Sequence, residues 1–382
     1  MKNLKDLFLC AAMTMLAACS GNRTLSGLDP ARFDSVINDK PVGLYTLTNR
    51  QGMEVCVTNF GGRIVSLMVP DRQGKLTDVV LGYDNLAQYA DSVNSPSDFG
   101  AAIGRYANRI NKGRLTIAGK QIQLPTNNYG HCLHGGPSGW QYQVYDADQP
   151  NDSTLRLTID SPDGDNNFPG NVKATVTYTL LGNNTLDIRY EATTDKETVV
   201  NMTNHSYFNL TGNLTEAGTS QVLYINADKF TPADATFMTT GEILPVVGTP
   251  MDFRKPHALA ETINDSAFIP IKNAMGYDHN WCLNTYREGK GDFTQVAASL
   301  YAPSTGILLE MFTDEPGVQV YTGNFLSGAV KGKHGIAYPR QCSVCLESQK
   351  YPDSPNKSRW PSPYLNPGER YESHTAFRFS IK

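Results

Sequence analysis

VKATVTYTLLGNNTLDIRYEATT, residues 172–194, decides the fold class. Two runs rich in β-branched and aromatic residues flank Gly182-Asn183-Asn184. Those flanks suit a pleated, half-buried surface, and Gly and Asn tolerate the left-handed backbone of a tight reversal. The pattern recurs along the chain. YTLTNRQGMEVCVTNF (45–60) turns at Arg50-Gln51-Gly52, and RIVSLMVPDRQGKLTDVVLGY (63–83) at Asp71-Arg72-Gln73-Gly74. RLTIAGKQIQLP (114–125) turns at Ala118-Gly119-Lys120, and ILLEMFTDEPGVQVYTG (307–323) at Asp314-Glu315-Pro316-Gly317. After Asn366-Pro367-Gly368 the chain closes with RYESHTAFRFSIK, a last strand. Long capped amphipathic helices are hard to find; short ones are expected near 86–92 and 258–265. No linker or fixed-period repeat divides the body. The expectation is an all-β protein, one large antiparallel sandwich over 42–382 with few short helices.

Composition agrees. Of 382 residues, 40% are hydrophobic and 18% charged, enough for a large core. The formal net charge is −4 with no basic stripe, so nothing points to nucleic acid as a partner.

The first residues read as a targeting segment. MKNLKDLFLCAAMTMLAAC places Lys2 and Lys5 before a short apolar run that ends in Leu16-Ala17-Ala18-Cys19. Leu-Ala-Ala-Cys resembles a bacterial lipobox, which implies a signal peptide over 1–18 and lipidation of Cys19. The run is too short to span a bilayer. The expected arrangement is a lipid-anchored envelope protein with a tether over 19–41, touching the membrane only through its anchor. The five remaining cysteines, Cys56, Cys132, Cys282, Cys342 and Cys345, are odd in number and irregularly spaced. They read as buried free thiols, and the lone C-x-x-C at 342–345 is no zinc ribbon.

Candidate chemistry lies in a few places. In TNHSYFNL (203–210) alternation puts Thr203, His205, Tyr207 and Asn209 on one strand face, polar but uncharged. In CSVCLESQKYPD (342–353) Glu347 shares a partly apolar face with Ser343, Cys345 and Gln349. Lost hydration there should raise its pKa, which suits a general base near neutral pH. GAAIGRYANRI (100–110) offers Arg105 and Arg109 with Asn108 between them. YGHCLHGG (129–136) places His131 and His134 before two glycines, which permit a sharp turn. GYDHNW adds Asp278 and His279, and PGVQVYTGNF adds Gln319. This mixture of carboxylate, imidazole, guanidinium, amide and aromatic groups is what a polyhydroxylated ligand needs. Phosphate-loop, dinucleotide, G-x-S-x-G and H-E-x-x-H motifs are absent.

GRYANRI, LHGG, TNHSYFNL, GYDHN, PGVQVYTGNF and CLESQKYPD, in that order, resemble the aldose 1-epimerase (galactose mutarotase) family. The resemblance covers nearly the whole body and implies a β-supersandwich. It implies Glu347 as general base and His205 as general acid. Asn108, Arg109, His134, Asp278 and Gln319 would bind or polarise the sugar, and Tyr207 would line the site. Ser348 stands where Thr is common. A free aldohexose such as galactose or glucose would be the substrate, with no metal or organic cofactor, in a monomer or weak dimer. Other readings remain open. A glycoside hydrolase would use Asp278 as second carboxylate. A binding lipoprotein would not need Glu347 with His205. A metalloenzyme would gather His131, His134, His205 and Glu347, and a sugar-phosphate epimerase would use Arg105 as a spare cation.

Overall fold

The computed structural model describes residues 23–95 and 97–382. The expected signal segment and Cys19 lie outside the described residues. Strands make up 41% of the structure, and the α-helices among the described residues are two short ones, in keeping with the all-β expectation. Val172–Leu180 and Thr185–Thr194 pair antiparallel around the turn at Gly182-Asn183-Asn184, with Asn184 left-handed at φ 58°. They belong to a nine-stranded sheet that runs from Asp146–Asn151 through the C-terminal strand Tyr371–Ile381 to His257–Ala258. A six-stranded sheet runs Tyr207–Phe208, Val344–Gln349, Gly317–Tyr321, Asp278–Cys282, Lys229–Thr231, Leu244–Pro245. A four-stranded sheet holds the hairpins of 44–78.

One core joins the three. Val176, Ile188, Phe377, Val318, Val320, Leu346 and Val55 all belong to it. Strand alternation then dictates the rest: if Val318, Val320 and Leu346 face the core, Gln319, Tyr321, Cys345 and Glu347 face the other way. That second face is roofed by loops and is buried in its turn.

Three details differ from the sequence reading. Ile307–Thr313 and Gly317–Tyr321 form no hairpin; they lie in different sheets. Asp314–Gly317 is a corner between sheets, where buried Glu315 accepts from Lys350 Nζ at 2.6 Å. The expected helix at 86–92 is present as Leu86–Ala90, capped by Asn85. Near 258–265 only the 3-10 turn Leu259–Glu261 forms, and the second α-helix is Ile269–Ala274, with Pro in its first turn. Residues 24–41 are not a free tether. Leu28 and Phe33 are buried in an aromatic cluster, Leu25 N–H donates to Glu54 at 2.7 Å, and Ser35–Ile37 pairs with Lys40–Val42. Leu25, Leu28, Phe33, Val36 and Ile37 are spaced without a clear period, and tertiary packing decides that Leu28 and Phe33 are the buried ones while Leu25 and Val36 stay exposed. The cysteines among the described residues are free, and all but half-buried Cys282 are buried.

Candidate active site

TNHSYFNL is split between two pairings. Thr203–His205 pairs with Ala101–Ile103, and Tyr207–Phe208 edges the six-stranded sheet beside Val344–Gln349. The i, i+2 spacing keeps His205 and Tyr207 on one side, their rings stacked at 5.0 Å and 25°. On the sheet, Glu347 pairs across with Gln319, and Cys345 pairs with both Tyr321 and Tyr207. His205, Tyr207, Gln319, Tyr321 and Glu347 line a cavity of about 340 Å³. Asn108, Arg109, His134 and Asp278 also line it. The structure therefore brings together every sugar-site residue expected from the sequence.

Glu347 Oε1 lies 3.5 Å from His205 Nε2, both side chains almost wholly buried. Burial pushes the Glu347 carboxyl well above its ordinary value, and the charges of Asp278 and Asp98 add to this while Arg109 opposes it. Burial lowers the His205 pKa, and the Asp98 and Asp278 charges partly restore it. Glu347 Oε2, His205 Nδ1 and Gln319 Oε1 are buried with no hydrogen-bond partner among the described residues. Such orphaned atoms are costly unless a polar ligand meets them. Gln319 spends its amide on Asp278 Oδ1 at 2.7 Å, which fixes which of its ends faces the cavity.

A clasp between two loops sets His134. Asn108 N–H donates to His134 Nδ1 at 3.1 Å, and His134 N–H donates to Asn108 O at 3.0 Å. Both residues are left-handed, at φ 61° and 51°, a strain that persists only where the surroundings enforce it. Because Nδ1 accepts, Nε2 carries the ring proton, and burial drops the His134 pKa to about 3. His134 is therefore a neutral donor at physiological pH. Gly135 follows at φ 83°, and a Cβ there would stand 2.3 Å from Gly104 O, so only glycine fits. Arg109 donates through Nε and Nη2 to Asn128 Oδ1 at 3.2 and 2.9 Å and stacks over Phe237 at 5.1 Å.

Two expected candidates lie elsewhere. Arg105 is buried under carbonyls of Pro169, Gly170, Ser161 and Pro162, so it is structural and supplies no spare cation for a phosphate. His131 accepts from Lys112 N–H and bonds Thr236, so the four-residue metal set is not assembled. Asp98 instead comes within 4.8 Å of both His134 and His205. The sequence reading missed Asp98, Asn128, Tyr129, Tyr321 and Phe325, all of which line the cavity. Tyr321 was within reach, since it shares the strand face of Gln319; the other four are on loops, which carry no periodicity.

The aldose 1-epimerase family profile matches residues 43–378. The chain is 42% identical to mouse galactose mutarotase over 86% of its own length and 92% of the relative's. It is 37% identical to the aldose 1-epimerase of Escherichia coli K12, over 89% and 96% of the two chains. Among solved structures, a GalM/aldose epimerase homologue from C. elegans superposes with a TM-score of 0.81 at 29% identity, covering 89% of this chain and 99% of that one. Galactose 1-epimerase from Lactobacillus acidophilus gives 0.77 at 28%, covering 91% and 97%.

Proposed function

The chain belongs to the aldose 1-epimerase family and its activity is that of a mutarotase, and from that premise we propose that Glu347 and His205 exchange the protons that open and close an aldohexose ring. The observation that carries this is the buried Glu347–His205 pair, 3.5 Å apart at the floor of the cavity. Free galactose and glucose are the expected substrates. Decay of optical rotation from fresh α-D-galactose and α-D-glucose tests this: the protein should accelerate it over buffer, and no acceleration of either sugar would refute the reading.

In the reacting complex Glu347 is ionised and His205 protonated. Glu347 takes the proton of the C1 hydroxyl, the electrons of that O–H bond form the aldehyde, and the C1–O5 bond breaks. The departing electron pair takes the proton of His205, so O5 becomes a hydroxyl. The pair is now uncharged. Burial disfavours the charged form of each partner, so ring opening moves the pair to the state that the site prefers. Arg109 near Glu347 favours its ionised form, while Asp98 and Asp278 favour protonated His205 but disfavour ionised Glu347. Rotation about C1–C2 turns the other aldehyde face toward O5, and closure returns both protons. His134 Nε2–H and Arg109 would donate hydrogen bonds to sugar oxygens while keeping their protons, which supports orientation and charge stabilisation.

This proton count fixes the pH dependence. The pair works with one proton. It gains a second on His205, lowered from 6.5, and loses its last from Glu347, raised from 4.5. The pH profile of kcat/KM is therefore bell-shaped. Asp98 raises both values, so Asp98→Asn should move both limbs to lower pH, by roughly 0.5–1 unit. Limbs that stay in place, or move in opposite directions, would contradict the assignment.

The lipobox motif supports export and lipidation at Cys19, with the enzyme acting on sugars released in the cell envelope. Thr24, a few residues on, already bonds Leu28 in the packed segment, so the body would be held close to the membrane. Labelled palmitate should enter the wild-type protein and not Cys19→Ala; equal labelling of both would refute the anchor.

A further inference from the structure

We propose that the sugar cavity continues into a second, neutral subsite that accepts a substituent on C6, making the reducing end of a 1→6-linked disaccharide a substrate. The proposal rests on the mutarotase reading and adds the substrate class. A cleft of about 240 Å³ adjoins the first cavity and shares Ser97, Tyr207, Tyr321 and Phe325 with it. Strand register gives its direction. Glu347 and Gln319 form one cross-strand row, and Tyr321, Cys345 and Tyr207 form the next row on the same face. Two residues along a strand is about 6.6 Å. The second cleft opens at that tyrosine row, and its far wall is the segment 326–330 with Tyr338.

Ring connectivity supplies the rest. With C1 at Glu347 and O5 at His205, the ring atom on the far side of O5 is C5, which carries C6. The Tyr207 ring lies stacked on His205, so a group leaving C5 beside O5 runs along Tyr207 toward the second cleft. C2 and C3 lie on the side of the ring away from O5, where a pyranose so placed would meet Gln319 and Arg109 of the first cavity. A 1→6 linkage leaves C1 free to react, whereas a group on O4 leaves the ring opposite C1, away from this route.

The lining selects the occupant. Aromatic faces of Phe99, Tyr207, Tyr321 and Tyr338 suit the C–H faces of a pyranose, and Tyr83 and Ser327 offer hydroxyls. Among the described residues, none of those that line the second cleft is charged. A C6 phosphate would enter without a cation and pass Asp98, which lines the first cavity beside Ser97. Phe325, which stands at both clefts, is 47% exposed although it is a large apolar ring. A sugar unit bridging the clefts would cover it.

Initial mutarotation rates of the full-length protein test this with glucose, gentiobiose and melibiose (6-linked), cellobiose and lactose (4-linked), and glucose 6-phosphate. The 6-linked pair should show kcat/KM at least about tenfold above the 4-linked pair and above the phosphate. Val330→Trp and Ser327→Trp, on the far wall, should each lower the ratio of gentiobiose to glucose kcat/KM about tenfold. Activity on glucose reports that each variant is folded. Equal use of 4- and 6-linked sugars, preference for the phosphate, or a ratio unmoved in both variants would overturn the subsite. Failure to accelerate glucose in the wild type would instead overturn the proposed function, and the subsite with it.

Discussion

Glu347→Gln should lower kcat/KM on galactose by about 10³-fold, within the 10²–10⁴ range of one positioned proton transfer. The amide keeps the shape and the Arg109 environment but cannot take the C1 hydroxyl proton. The same substitution should make the protein more stable. The folded-state pKa of Glu347 lies above its ordinary 4.5, so the folded chain binds more protons than the unfolded chain across that interval. Stability then falls as pH rises from 4.5 through the folded value. Glutamine has no proton to lose, so the Tm advantage of the variant should be absent below pH 4.5 and grow above it. Loss of activity with a gain in Tm separates a functional carboxylate from a structural one. Calorimetry at two pH values beside polarimetry checks both halves. A variant both inactive and unfolded would contradict this assignment.

His205→Gln should cost a similar factor, roughly 10²–10⁴-fold, because O5 then has no positioned acid. The shape of the residual pH profile is the sharper readout. In the wild type, activity falls at high pH as the pair loses its last proton from Glu347. Without His205, only ionised Glu347 can start the reaction, so residual activity should rise through the same interval. The double variant should be little worse than the poorer single one, since the two residues act as a unit in one proton exchange. Full multiplication of the two losses would mean that they serve separate steps.

What the sequence disclosed follows from periodicity. Alternation in 172–194, 203–210 and 342–349 marks strands and sorts their faces, and by itself it puts His205 with Tyr207 and Glu347 with Cys345. Where side chains depend on loops, alternation is silent. Asp98, which bears on both members of the pair, stands on the loop before Phe99, and nothing in its local sequence distinguishes it from a solvated aspartate. Arg105 and Arg109 look equivalent in GRYANRI; only the tertiary fold turns one under backbone carbonyls and the other into the cavity. The corner at Asp314–Gly317 carries a hairpin's turn residues, but its flanking strands join different sheets, and Glu315 within it bonds Lys350, distant in sequence. The packing of 24–41 hangs on Leu28 and Phe33 meeting a cluster assembled from distant segments.

The central claim is that the anomers interconvert through C1–O5 cleavage driven by Glu347 and His205. Anomer exchange of α-D-galactose in ¹⁸O-labelled water, followed by the isotope shift of the C1 carbon resonance, tests it most directly. Ring opening leaves the C1 oxygen in place, so anomerisation should reach equilibrium with label uptake no faster than in buffer. Label entering C1 at the rate of anomerisation would mean that the C1–O1 bond breaks instead, as in a glycoside hydrolase, and would contradict the account.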